Sequence, residues 1–484
     1  MNAKNKFWKL VILIASALVL ASHCAFAQSL GQTQRSFTLP KPMFRMPGGQ
    51  SQEQQAADQI PSAAIALTLE QLQQMALQNN PTLRQAQAQI RAAAGRTLQA
   101  GLWPNPTVGY TSEEIRGGSF GGGQQGVFVQ QDVILGGKLG LERKIFAEEG
   151  KQSEAEADEQ RLRVENGVRI AFYQSLAAQQ MVQTRMKLSE LAKDAVETTQ
   201  QLFNVGQADQ PDLLEAQVEA DESELALTAS QQDQQRAWRV LTALVNVPTM
   251  PLTRLEGNLE DLPSIDPDQT LQTILRDSPA MKIAQLSVTR ADAALARAKR
   301  EIVPDLSLRA GIRNDLESLE TVPRTVGPVG FAEVGVNLRL FNRNQGNIQA
   351  AKADQEGATL NVQRVSLVLR QMAAPVLQNY ISSRAVADKY KTTTLPTAQR
   401  AYELYMQRYR EGAAAYPQVL IAQRTLFQLQ TNYVSALENV WMNAVTLQGL
   451  LLTDGLDLPA APGELEQPIR EINLPLTEAP GGRQ

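Results

Sequence analysis

The stretch Phe331–Gly346, FAEVGVNLRLFNRNQG, decides how this chain is read. Ala332, Val334, Val336, Leu338 and Leu340 are apolar, and Glu333, Gly335, Asn337 and Arg339 between them are polar or small. A period of two is the mark of a strand with one dry and one wet face. Most of the chain is instead rich in Gln and Ala at helical spacing. The alternation recurs upstream, where Leu306, Leu308, Ala310 and Ile312 are separated by Ser307, Arg309, Gly311 and Arg313. Strands of about nine to eleven residues with one apolar face suit the crossing of an outer membrane. On that reading Leu306, Leu308, Ile312, Val334, Val336, Leu338 and Leu340 face lipid. A soluble hairpin resting one face on a core has the same pattern.

The chain has 484 residues and opens as a secretion signal over 1–27. Lys4, Lys6 and Lys9 form a basic start, Leu10 to Leu20 is apolar apart from Ser16, and Ala25-Phe26-Ala27 is a small-x-small cleavage site. The apolar run is too short to span a bilayer. The one histidine, His23, and the one cysteine, Cys24, both lie in it. A processed chain then lacks Cys nucleophiles, His bases, disulfides and the usual zinc ligands, so neither an enzyme nor a cofactor or metal site is expected. Cys24 as a lipidated N-terminus is the alternative, although Ala21-Ser22-His23 departs from a lipoprotein box. Losing three lysines takes the net charge from −4 to −7, which gives no basic surface for nucleic acid. No other apolar segment is long enough for a spanning helix, so any membrane insertion must use strands.

The chain repeats itself. TLEQLQQMALQNNP (68–81) parallels DPDQTLQTILRDSP (266–279). Thr68 with Gln71, and Asp266 with Gln269, read as capping boxes, and Pro267 takes the favoured first helical position. VGQADQPDLLEAQ (205–217) parallels EGAAAYPQVLIAQ (411–423). The offset rises from 198 (Pro81 to Pro279) to 206 (Gly206 to Gly412), which places eight extra residues in a loop between the second repeat's strands. Each repeat reads helix, strand, strand, long helix, turn, helix. Helices are expected near 68–100, 139–204 and 211–247, then 268–301, 345–410 and 417–452, with Pro375 and Pro396 kinking 345–410. Strands are expected near 105–113, 126–134, 305–313 and 331–340. A helix of 65 residues is ~100 Å long, about the combined length of the two shorter ones, which would stack end to end beside it. Leu437, Val440, Trp441, Ala444 and Val445 give one apolar stripe, and Trp238, Leu241 and Val245 another. The organisation is 1–27 signal, 28–64 linker, 65–247 first repeat, 248–265 linker, 266–457 second repeat and 458–484 tail.

Four strands cannot close a membrane barrel, and an open edge leaves backbone groups unpaired in hydrocarbon. Several chains must therefore share one barrel, continued by a long helical tube. That describes a conduit.

With LTLEQLQQMALQNNPTLRQAQAQI, AGLWPNPTVGY, QDVILGGKLG, IVPDLSLRAGI, LFNVGQADQPDLLEAQ and RYREGAAAYPQVLIAQRTLFQLQTNYVSAL in this order, the chain resembles the TolC-like outer-membrane efflux proteins over about residues 65–457. The AGLWPNP and ILGGK wording is similar to the cation and heavy-metal efflux branch. The resemblance implies a mainly α fold with a membrane β-barrel. Three chains would form a twelve-stranded barrel in the outer membrane of a Gram-negative bacterium, continued by a twelve-helix periplasmic barrel. It also implies a periplasmic adaptor and an inner-membrane pump as partners. A duct for protein secretion has the same architecture, and a non-conducting coiled-coil envelope protein shares the long helices.

The resemblance further implies a periplasmic entrance at the two helix–helix turns, with Val205, Gly206, Gln207, Gly412, Ala413 and Ala414 as the adaptor-docking surface. Some members close this entrance with carboxylates on the second-repeat helix, where this chain has Gln418 and Ile421. Asp212 and Glu215 supply acid on the first-repeat helix instead, and six such carboxylates in a trimer would attract cations. Tyr409 or Arg410 bonding to Asp212 is the expected latch. Asp212 at a helix start can equally be an ordinary cap.

Overall fold

The structure, a computed structural model, describes residues 66–114, 123–318 and 325–457. The signal at 1–27, the 28–64 linker and the 458–484 tail lie outside these residues, as does most of the first hairpin's loop.

The first helix starts at the expected cap. Thr68 Oγ1 accepts from Gln71 N at 3.4 Å, and the Gln71 side chain accepts from Thr68 N at 3.1 Å. Asp266 opens the second repeat, its Oδ1 accepting from Asp268 N at 2.9 Å and Gln269 N at 3.1 Å. Neither repeat holds the single long helix expected next. The first divides into α1 (Leu69–Asn79) and α2 (Pro81–Ala100), and the second into α5 (Pro267–Asp277) and α6 (Pro279–Arg300). Asn80 (ψ 124°) and Ser278 (ψ 129°) are extended, because a following proline disfavours helical geometry in the residue before it.

Between these pairs lie β1 (Thr107–Glu113), β2 (Gln124–Val133), α3 (Lys138–Asn204) and α4 (Gln210–Leu244). After α6 come β3 (Leu306–Ser318), β4 (Thr325–Val336), α7 (Gln345–Lys389), a π-helical turn (Tyr390–Thr394), α8 (Leu395–Arg410) and α9 (Tyr416–Gln448). Pro375 lies inside α7, which continues through it as one helix. Pro396 is the second residue of α8, directly after the π turn, where a widened turn tolerates the missing N–H.

At 67 residues, α3 is ~100 Å long. Both α2 and α4 pack along it, as the matching lengths require. The second repeat lays α6 and α9 against α7 in the same way, and both also touch α3. The two tryptophan stripes are buried, with Val440, Ala444, Leu241 and Val245 fully inaccessible. Segment 248–265 is not a free linker but a strap over this core. Trp238 Nε1 donates to Met250 O at 3.1 Å and Trp441 Nε1 to Leu259 O at 2.9 Å. The Gln179 amide exchanges two hydrogen bonds with the Leu255 backbone, and Leu67 pairs with Leu255 in a parallel bridge. The strap thus ties the two repeats by backbone bonds that their sequences do not advertise.

The four strands form one antiparallel sheet in the order β1-β2-β3-β4. The register aligns Val108, Val129, Ala310 and Ala332 in one row, and Tyr110, Val127, Ile312 and Gly330 in the next. Gln131, Leu308 and Val334 follow, so Gln131 interrupts an otherwise apolar face. This face is bare: Val108 is 69%, Ile312 60% and Val334 67% exposed. A soluble hairpin would cover it.

Two strand expectations need correction. The extra residues of the second repeat are not all loop, since β3 and β4 have 13 and 12 residues against 7 and 10 for β1 and β2. In addition, β4 runs 325–336 rather than 331–340, so Leu338 and Leu340 lie past its end, although both are exposed. Arg339 between them pairs with Glu301 at the end of α6, which draws the chain off the sheet.

Candidate conduit mouth and junction

The two helix–helix turns share one backbone design. Gly206 (φ 73°) and Gly412 (φ 70°) are left-handed, which glycine adopts without a Cβ clash. Gln207 N donates to Leu202 O and Ala413 N to Arg408 O, each at 2.8 Å, the six-residue closure of a glycine C-cap. Val205, Gly206, Gln207, Gly412 and Ala413 are exposed and Ala414 is half-buried, so the tips form a smooth surface with few charges.

Asp209 caps α4, and Asp212 Oδ2 accepts from Asp209 N at 3.4 Å, so Asp212 serves as a capping partner. Glu215 and Gln418 are exposed, as is Arg410. Tyr409 is not free to reach across. It is 3% exposed and its ring sits 5.6 Å from that of Tyr416. The Tyr416 hydroxyl makes no hydrogen bond among the described residues, and the Tyr409 hydroxyl has at most a loose one, to Thr199. Burial pushes both hydroxyls above the usual tyrosine range; at Tyr409 Thr199 opposes this and the charge of Asp212 adds to it, and at Tyr416 the charge of Glu219 adds to it. Within one chain the expected Tyr409–Asp212 and Arg410–Asp212 bonds are therefore absent.

A different pair joins the repeats here. Arg424 Nε on α9 donates to Glu219 Oε2 on α4 at 2.7 Å, and the Glu219 side chain is 8% exposed. This hydrogen bond holds the Arg424 guanidinium protonated, above even its high ordinary value. The sequence offered a signal: Arg424 is the only basic residue in α9, and Glu219 follows Glu215 by one helical turn.

A second charged cluster lies where sheet meets helices. Lys138, 2% exposed at the start of α3, reaches Asp305 Oδ2 at 2.8 Å and Glu301 Oε1 at 3.8 Å. Glu301 also holds Arg297 and Arg339, while Arg297 reaches Glu142 at 2.9 Å. Leu135 N donates to Asp305 Oδ1 at 2.9 Å. This network fixes the first repeat's strand-to-helix corner onto the second repeat. Gly136 (φ 72°) and Gly137 (φ 69°) make that corner, the ILGGK motif.

No helix of the described residues is long and apolar enough to cross a membrane, and they contain no cluster of three or more metal-ligating side chains. The bare sheet face suits lipid. The family model for outer membrane efflux proteins matches residues 72–247 and 270–451, one match over each repeat.

The chain belongs to the outer membrane efflux protein family.

It is an outer-membrane efflux channel rather than an enzyme, with its helical part in the periplasm. Membership also sets aside the reading as a non-conducting envelope tether. The cobalt-zinc-cadmium resistance protein CzcC of Cupriavidus metallidurans is 29% identical over 394 residues, 80% of this chain and 91% of that protein. The nickel-cobalt-cadmium resistance protein NccC of Alcaligenes xylosoxydans is 26% identical over 337 residues, 68% and 72% of the two chains. A crystal structure of CusC superposes with a TM-score of 0.67 at 17% identity, covering 85% of this chain and 99% of that one. The solved structure supports the fold; the family carries the function.

Proposed function

We propose that three copies of this chain form the outer-membrane duct of a heavy-metal efflux system, fed by a periplasmic adaptor and an inner-membrane pump. The carrying observation is the sheet: four strands, an apolar face bared to solvent, and two edge strands, β1 and β4, without neighbours. Hydrocarbon does not tolerate unpaired edges, so β4 of one copy must pair with β1 of the next. Three sheets of four give twelve strands, within the range of closed barrels. In this reading the segments divide as the sequence suggests, with two repeats at 65–247 and 266–457.

Metal cations as cargo rest on the names of the relatives and on charge. Glu215 is exposed at the mouth, and Asp212 lies one turn away. Threefold symmetry brings six carboxylates to the narrow end, which raises the local cation concentration. Val205, Gly206, Gln207, Gly412, Ala413 and Ala414 form the surface on which an adaptor hairpin docks. The resting mouth is held shut by Tyr402, Tyr409 and Tyr416, which are buried in one cluster, and by Arg424–Glu219, not by Asp212. Docking tilts α8 and α9 away from α3 and α4. In this reading the chain conducts passively and the inner-membrane pump supplies the energy.

Deletion of the gene in its host tests the reading. Lowered tolerance to cobalt, zinc or cadmium, restored by the wild-type gene and not by Glu215→Lys/Asp212→Lys, is the expected result. Unchanged metal tolerance with loss of a secreted protein would replace metal efflux by protein secretion.

A further inference from the structure

Opposite the lipid-facing rows, the sheet carries a row of different character. Gly109, Phe128, Gly311 and Phe331 are consecutive partners across β1, β2, β3 and β4. Each phenylalanine lies flat over the neighbouring glycine. A Cβ on Gly109 would stand 2.4 Å from Phe128 Cζ, and one on Gly311 2.7 Å from Phe331 Cε1. The next row inward holds Gln130, Arg309 and Glu333. The Arg309 guanidinium sits 4.0 Å over the Phe128 ring and 5.8 Å from Phe331. Its nearest carboxylate is Glu333 at 4.0 Å, and it donates no hydrogen bond among the described residues. Arg313, in the row beyond, stands 5.5 Å from the Phe331 ring and also has an unpartnered Nε, but its Nη1 donates to Glu113 at 3.3 Å, a bond that Arg309 lacks. Arg309 is therefore a cation held upright by aromatic rings with its N–H donors unspent.

We propose that Arg309 is an anion-contacting residue in the wall of the strand barrel, one of a girdle of three set on a layer of six flattened phenylalanines. The inference rests on the barrel reading above, which makes this face the water-filled one. The glycines allow the rings to lie against the wall, so the layer supports the arginine without narrowing the bore. Glu333 offsets part of the charge, but without a hydrogen bond it leaves the guanidinium edge open to a passing anion with acceptor oxygens or to chloride. Asp132 is on the same face one row further in, and Glu113 and Asp315 are towards the loops. The acidic mouth gathers cations at one end of the conduit. The girdle then acts at the other end, retarding the return of bare cations from outside.

Thiol labelling from the external face tests this without depending on whether the periplasmic mouth is open. The chain's one native cysteine is Cys24, so wild type serves as the blank. Gln130→Cys places a thiol opposite Arg309, and Val129→Cys places one on the apolar face. In intact outer membranes Gln130→Cys should react and Val129→Cys should not. The ratio of rates with an anionic sulfonate and a cationic trimethylammonium thiosulfonate should fall by roughly threefold or more when Arg309→Gln is added, and recover with Arg309→Lys. An unchanged ratio with the same accessibility overturns the proposal and leaves the barrel standing. Reaction at Val129→Cys with silence at Gln130→Cys overturns the barrel orientation and the proposal together. Silence at both shows a closed lumen and overturns the proposal as well.

Discussion

Replacing Arg424 with alanine should open the mouth. Arg424 joins α9 to α4 through one charge-assisted hydrogen bond of 2.7 Å. Such a bond contributes about 1.5–3 kcal/mol net when shielded. The Arg424 side chain is 54% exposed, so solvent screening reduces this to ~1–2 kcal/mol. Glu219 would stay buried with no partner, which adds strain to the closed packing rather than relieving it. Three protomers acting together give ~3–6 kcal/mol, and each ~1.4 kcal/mol changes the open-to-closed ratio tenfold. The ratio should therefore rise by roughly 100-fold to 10,000-fold. Conductance in planar bilayers reads this directly, with Glu219→Gln as a milder companion that keeps an acceptor. The double variant Arg424→Ala/Glu219→Ala should open no further than Arg424→Ala alone, because both lose the same interaction. Wild-type conductance in every variant, with only a lowered melting temperature, would show that the pair holds the helices together but does not set the mouth.

Lys138→Met should destabilise the folded channel by about 1–3 kcal/mol, since it removes the charged partner of Asp305, which is 35% exposed and keeps only Leu135 N, while Glu301 keeps Arg297 and Arg339; the midpoint of denaturant unfolding measures it. Gly412→Ala places a Cβ at φ 70° and should cost ~1 kcal/mol, whereas Gly357→Ala in the open middle of α7 should gain about 0.5–1 kcal/mol. Equal effects of the two would refute the left-handed turn. Desolvation alone raises the Glu438 carboxyl. The folded state then binds more protons than the unfolded one between the two pKa values, so this residue's contribution to stability falls as pH rises through that window. Glu438→Gln should thus melt higher than wild type at pH 7, with the difference vanishing once the pH drops below the ordinary glutamate range.

Local pattern made the helices and strands legible. The caps at Thr68 and Asp266, the tryptophan stripes and the alternation in β3 depend on neighbours within a few residues, and each appears where its spacing put it. The helix breaks at Asn80 and Ser278 were also local, signalled by Pro81 and Pro279. Periodicity on both sides nevertheless reads as one helix. The end of β4 was less accessible. Leu338 and Leu340 continue the alternation, but Arg339 leaves the sheet for Glu301, a partner 38 residues away. Charge pairing between distant segments leaves no period in the sequence.

The same division holds at the mouth. Gly206 and Gly412 announced their turns, because left-handed backbone at a helix end favours glycine in any fold. Sequence placed Tyr409 and Asp212 near those turns but could not say which way each side chain faced. Packing decided that Tyr409 is buried against Tyr416, that Asp212 caps its own helix, and that Arg424 meets Glu219 across 205 residues of chain. The sequence by itself determined that this is a duplicated chain of long helices with four strands too few to stand alone in a membrane. Only the tertiary structure decided which charges meet, because helices ~100 Å long can pair in several registers and the choice is made by contacts between repeats.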